Sequence, residues 1–169
     1  AIGLMGGDKD RDTGPETAGT INLRNGSVVA ESSPAALVRY GSFLQVVDSK
    51  LESGGHTLDV EGEGSIADIS GKSTVIKSTG KGGGNGSLVS VVHADDRASI
   101  HITDGAVQAT GDQYTRGLLA TSGGKISTEG TAVSTTGNNS HAVQAFGKHG
   151  TGEGAVRSEV TLTGGTVTT

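Results

Sequence analysis

The chain is 169 residues long, with 30 glycines, two prolines, no cysteine and only two tyrosines and two phenylalanines for aromatic rings. That length allows one domain with a real core, but not a core built on rings, and the absence of cysteine excludes a disulfide frame or a thiolate metal site. A formal net charge of −5 with no Lys/Arg cluster argues against a nucleic-acid partner, and no apolar run approaches the roughly 20 residues of a membrane-spanning helix.

Residues 1–18 are polar, broken by glycine and without period, and read as an irregular N-terminal segment. The opening stretch has neither the length nor the basic flank of a signal peptide. Asp8, Asp10 and Asp12, followed by Gly14, have the alternating carboxylates that open a calcium loop. The rest of such a loop is missing, because its sixth position is Thr13 rather than glycine and its twelfth is Gly19 rather than glutamate. The segment therefore reads as a solvated tail in which Lys9 and Arg11 balance the acids.

Residues 19–169 repeat one pattern six times, most plainly where SIHITDGAVQATG (Ser99 to Gly111) returns as KISTEGTAVSTTG (Lys125 to Gly137). The copies begin near Ile21, Leu44, Ile69, Ile100, Ile126 and Val160, so the first position is always aliphatic. The eighth is aliphatic again, as Val28, Leu51, Ile76, Val107, Val133 and Val167, and the tenth is small. First and third positions share one face of a short strand, and eighth and tenth share a face of the next. Between them the fifth position is Asn25, Asp48, Ser73, Asp104, Gly130 or Gly164, residue types suited to a corner.

A third apolar segment follows five of the copies: Ala36 to Val38, Leu58 to Val60, Leu88 to Val92, Leu118 to Ala120 and Ala142 to Ala145. The pairs Asn25-Gly26, Asp104-Gly105 and Gly164-Gly165 would also serve as two-residue hairpin turns in an antiparallel sandwich. Repetition decides between the two arrangements. A unit that cannot bury its own apolar face, recurring with the same third segment, is the signature of a solenoid in which stacking supplies the core. The sequence predicts an all-β parallel β-helix of about six coils, three short strands to each. A narrow, uniform interior of this kind takes β-branched side chains and has no room for rings, in keeping with the composition.

Longer spacings mark two excursions, GKGGGNG (Gly80 to Gly86) and FGKHGTGEGAVRSE (Phe146 to Glu159). The second carries Lys148, His149, Glu153 and Arg157, and insertions on a solenoid are where binding residues collect. These four are the candidate binding residues.

Catalytic constellations are sparse. The outward columns stack no two carboxylates, and Glu52 over Lys77 is an ordinary surface pair. Acids concentrate after the third segments of coils two and three, where Asp59, Glu61 and Glu63 neighbour Asp95 and Asp96 beside Arg97. Convergent carboxylates could hold Ca²⁺ or act as an acid/base pair; a solvated acidic corner is the plainer reading. Asp8, Asp10, Asp12, Asp95 and Asp96 are thus the candidate metal residues, and the expectation is otherwise no cofactor. The five histidines fall on different template positions, and no Gly-x-Ser-x-Gly elbow or phosphate loop is present.

The coils SIHITDGAVQATGDQYTRGLLATSGG and EVTLTGGTVTT, with their Gly-Gly corners, Ser/Thr-rich outer faces and lack of cysteine, resemble the passenger domains of Gram-negative autotransporters, the pertactin-like and AIDA-like adhesins of type V secretion. The resemblance covers residues 19–169. It implies a right-handed β-helix, attachment to an outer-membrane β-barrel, and display at the bacterial cell surface or secretion. The implied work is non-enzymatic: adhesion, aggregation or other virulence contact with host-cell or extracellular-matrix molecules, or with the same protein on neighbouring cells. Passengers of this family are longer and precede a translocating barrel, so on this resemblance the chain reads as a fragment. The alternative is a polysaccharide-active or polysaccharide-binding β-helix of the pectate-lyase or phage-tailspike kind.

Overall fold

A computed structural model of the chain describes residues 4–6, 18–32, 34–80 and 88–169. Asp8, Asp10, Asp12 and most of the Gly80–Gly86 excursion lie outside these residues. Three parallel sheets of six strands each make up the column. One holds β1 (Leu4–Gly6), β4 (Ala36–Val38), β7 (Leu58–Glu61), β10 (Val89–Asp95), β13 (Thr115–Thr121) and β16 (His141–Phe146). The next holds β2 (Thr20–Arg24), β5 (Phe43–Val47), β8 (Ile66–Ser70), β11 (Ser99–Thr103), β14 (Lys125–Glu129) and β19 (Glu159–Thr163). The last holds β3 (Ser27–Ala30), β6 (Lys50–Ser53), β9 (Val75–Ser78), β12 (Ala106–Ala109), β15 (Ala132–Thr135) and β20 (Thr166–Thr168). Within each sheet the strands stack in chain order, which is the topology of a parallel β-helix. Strand β1 falls inside the segment that the sequence reading left irregular, and it pairs in register with β4.

Stacking turns the repeat into side-chain ladders. At the first position Ile21, Leu44, Ala67, Ile100, Ile126 and Val160 are consecutive partners. At the eighth, Val28, Leu51, Ile76, Val107, Val133 and Val167 do the same. The middle rungs of both ladders are fully buried. No ring enters this interior; its largest buried side chains are leucine, isoleucine and valine.

One copy is displaced from its expected register. Ala67, not Ile69, stacks on Ile100, and Ile69 stacks on Ile102 at the third position. The cause is the corner, which runs Gly71-Lys72-Ser73-Thr74, is closed by a bond from the Thr74 N–H to the Gly71 carbonyl, and is two residues longer than its Asp104-Gly105 counterpart. The fifth position of this coil is therefore Gly71 rather than Ser73. With that correction Asn25, Asp48, Gly71, Asp104, Gly130 and Gly164 all have positive φ, and each of the first five donates its N–H to the carbonyl below the corner of the next coil.

The exit from the last sheet is tighter still. Gly55, Gly80, Gly111 and Gly137 occupy equivalent places two residues beyond the tenth position. A Cβ built at Gly111 would lie 1.7 Å from the Gly80 carbonyl oxygen, so the coils close against one another here only because no side chain intervenes. Buried hydroxyls finish the corners: Ser78 Oγ donates to the Gly55 carbonyl at 2.6 Å and accepts from the Gly80 N–H at 3.2 Å.

Candidate functional site

The described residues concentrate their unusual chemistry where the strands of the β1-to-β16 sheet turn toward the next coil. Turns with left-handed backbone stack there: Tyr40-Gly41, Asp96-Arg97 and Ser122-Gly123 all have positive φ at both residues, as do Gly62 and Gly64 between them. Each turn closes with a backbone bond, from Ser42 to Arg39, Ser65 to Gly62, Ala98 to Asp95 and Gly124 to Thr121. Left-handed backbone at tyrosine, serine and arginine is disfavoured, and it is retained here because neighbouring coils hold the turns in place.

A cleft of about 620 Å³ lies over these turns. Arg39, Tyr40, Glu61 and Glu63 line it from two coils, and Asp95, Asp96 and Arg97 from the next. Glu61 and Asp95 are direct partners in the sheet, so the acids that the sequence placed in one corner do meet there. They meet as ion pairs. Arg39 contacts Glu61 at 2.9 and 3.0 Å, Arg97 reaches Glu63 at 2.6 Å and Asp96 at 3.7 Å, and His149 Nδ1 lies 2.8 Å from Asp96. The pairs leave Arg39 Nε, Arg97 Nε and Asp96 Oδ1 buried without a well-angled hydrogen bond.

His149 comes from the Phe146–Glu159 excursion, which forms a small antiparallel hairpin of β17 (Lys148–His149) and β18 (Val156–Arg157). Ser158 anchors it, accepting from the Gly123 N–H at 3.0 Å and donating to the Phe146 carbonyl at 2.9 Å. The hairpin rests on the stacked turns so closely that a Cβ at Gly123 would lie 3.1 Å from His149 Cβ and 3.3 Å from Arg97 Cγ. Of the four candidate binding residues in this excursion, His149 thus joins the cleft, while Lys148, Glu153 and Arg157 stand exposed on the hairpin.

Beside the cleft runs a polar chain that the sequence reading missed. His93 Nδ1 lies 3.0 Å from Asp59, His93 Nε2 lies 2.8 Å from Thr121 Oγ1, and Thr121 donates to Asp95 at 2.6 Å. His56 stacks on His93 with ring centroids 5.8 Å apart and meets Ser90 Oγ at 2.7 Å through Nδ1. The signal was present: Leu58-Asp59-Val60 aligns with Val92-His93-Ala94, which puts Asp59 beside His93. Ending the third segment at Val92 concealed it.

Burial works against the charge on Asp95, but hydrogen bonds from Thr121, Ser122 and the Asp96 N–H, with the charge of His93, outweigh it and hold the carboxyl below its usual range. Burial lowers His56, opposed by Asp59 and helped by His93. Arg39, desolvated yet bonded to Glu61 and close to Asp59, ends above its ordinary value. A further buried cation, Arg116, bonds to the Gln144 side chain and the Thr115 carbonyl, and burial lowers its pKa.

Of the candidate metal residues, Asp95 accepts from Thr121 through Oδ1, and Asp96 Oδ1 faces His149 and Arg97. Among the described residues no group of three or more His, Cys, Asp or Glu side chains is arranged to hold a metal ion. The chain matches no family model, no curated protein and no solved structure.

Proposed function

We propose that this chain is a β-helical module of a protein displayed at the bacterial surface or secreted, of the autotransporter-passenger kind, and that its work is contact rather than catalysis. The observation that carries the reading is the convergence of the Phe146–Glu159 hairpin with the stacked turns, joined by the His149–Asp96 pair over a mixed-charge cleft. A rigid column presenting one irregular, polar surface suits recognition of a partner, with specificity residing in groups that repeat nowhere else along the rod. The pairing of the acids supports the same view. A general acid needs a carboxyl raised toward neutrality, whereas Asp95 is depressed, Glu61 and Glu63 are paired with arginines and Asp96 lies beside Arg97.

Partners of this surface are host-cell or extracellular-matrix molecules or copies on neighbouring cells, and native attachment is to an outer-membrane barrel. Cells displaying the chain should bind matrix or clump, and replacing residues 147–158 by a short glycine linker should remove that binding while the column stays folded. Unchanged binding by the hairpin-less chain would overturn the reading.

A second reading is favoured by Tyr40, a ring set among carboxylates and guanidiniums in the cleft, a combination suited to a polysaccharide. Glycan cleavage by the purified chain, abolished by Asp95→Ala or Asp96→Ala, would put that reading first.

A further inference from the structure

The Phe146–Glu159 hairpin has a second face that the cleft does not use. Its strands pair Lys148 with Arg157 and His149 with Val156. Residues directly opposite each other in an antiparallel pair project from the same side, and successive residues alternate. His149 and Val156 therefore share the inner side, half-buried over Gly123 and Asp96, while Lys148 and Arg157 share the outer side and are exposed. The hairpin reaches back over the turns of two earlier coils, at Ser122-Gly123 and Asp96-Arg97. Its outer side thus faces away from the flank of the column, not along the axis.

Two cations set directly opposite each other repel and weaken the pair of strands that carries them, and a ladder two residues long has little to offset that cost. Nothing among the described residues neutralises them. Neither side chain makes an ion pair or a side-chain hydrogen bond there, and Glu153, in the loop that joins the two strands, pairs with neither. An acid in place of either cation would give an attracting pair and steady the hairpin. The chain as a whole carries −5, so this doubled positive charge also runs against its surroundings. What the arrangement does suit is an oxyanion, which an ammonium can meet as a point charge and a guanidinium can meet with a planar fork of N–H donors.

We infer that the outer face of this hairpin binds the anionic groups, carboxylate or sulfate, of an acidic polysaccharide. The inference rests on the reading of the hairpin as a contact surface and names the chemistry of what is contacted. Two cations side by side suit a single anionic group, whereas a nucleic acid needs a basic face spread along several phosphates. An acidic peptide carries its carboxylates close together, and those beside the captured group would meet Glu61, Glu63, Asp95 and Asp96 in the cleft next to the hairpin. A polysaccharide separates its charges by whole sugar rings. The hydroxyls between them can donate to those same carboxylates, and Tyr40 offers the face of a ring.

The test is binding of the 169-residue chain to immobilised heparin, hyaluronate and neutral dextran, with Lys148→Glu and Arg157→Ser as variants and urea midpoints measured alongside. Heparin or hyaluronate should retain the chain and dextran should not, and each variant should weaken retention about tenfold or more. Lys148→Glu should do so with its urea midpoint unchanged or raised, because it turns a repelling pair into an attracting one. A lowered midpoint would mean that the two cations serve the fold, and it would count against the inference. Retention by neither acidic polysaccharide, retention that both variants keep, equal binding to polyglutamate or single-stranded DNA, or displacement by an equal charge of inorganic sulfate would each overturn it. If polysaccharide binding fails while replacing residues 147–158 still removes contact by displayed cells, this inference alone falls. If polysaccharide binding follows the two cations while hairpin-less cells make contact unchanged, the contact reading falls instead.

Discussion

Asp96 and Ile100 are four residues apart and live under opposite rules. Ile100 sits in a ladder where its neighbours above and below are Ile126 and Ala67, fully buried, with backbone that any β-branched residue adopts. Asp96 sits on a left-handed turn, half in solvent, paired with a histidine that arrives from a hairpin far along the chain. The column is held by burial and by the sameness of its rungs, so its residues are exchangeable within a size. The cleft is held by particular pairs on particular turns, so its residues are not, although each contributes little to stability. A solenoid can thus vary its recognition surface without disturbing its core.

The largest expected effect is in the column. Ile100→Asp or Val107→Asp buries an unpaired charge in mid-stack and should cost roughly 4 kcal/mol or more, seen as loss of the cooperative transition in chemical denaturation. Gly111→Ala comes next, at about 3 kcal/mol, because its Cβ meets backbone rather than a side chain that can move aside. Ile100→Val, which keeps the shape of the rung, should lower the denaturation midpoint by only about 1 kcal/mol equivalent.

Between column and cleft lies a pH effect. His56 is held below its ordinary 6.5, so as pH falls through that value the unfolded chain takes up the proton before the folded one. The stability contributed by neutral His56 is therefore fully present above 6.5 and is lost as pH falls below it. Asp95 adds a second, lower step: its contribution is present above its ordinary 3.8 and lost as pH falls through its depressed folded value. Urea midpoints measured from about pH 7.5 down to about pH 3 should show both declines, and His56→Gln should flatten the upper one alone.

The smallest stability effect belongs to the cleft and sharpens the contrast most. His149→Ala or Asp96→Asn should change stability by less than about 1 kcal/mol, since both groups are substantially exposed. Either substitution should nonetheless weaken partner binding by displayed cells. A large loss of stability with binding retained would mean that the pair serves the column and that the contrast drawn between the two regions is false.

The pattern of residues by itself determined the ladders. Aliphatics at the first and eighth positions, small residues at the tenth and glycine two places beyond can be satisfied together only by stacking, and they gave the parallel β-helix and its six coils. Only the tertiary structure decided the register of the third coil, because a corner two residues longer moves Ala67 into the place that counting gives to Ile69. It likewise decided that the insertion carrying His149 folds back onto Asp96, and that Asp59 and His93 share a hydrogen bond. The physical reason is the same in each case. Burial acts on every rung alike and leaves a period in the sequence, whereas a charged pair between distant turns occurs once and depends on where coils of unequal length bring their ends.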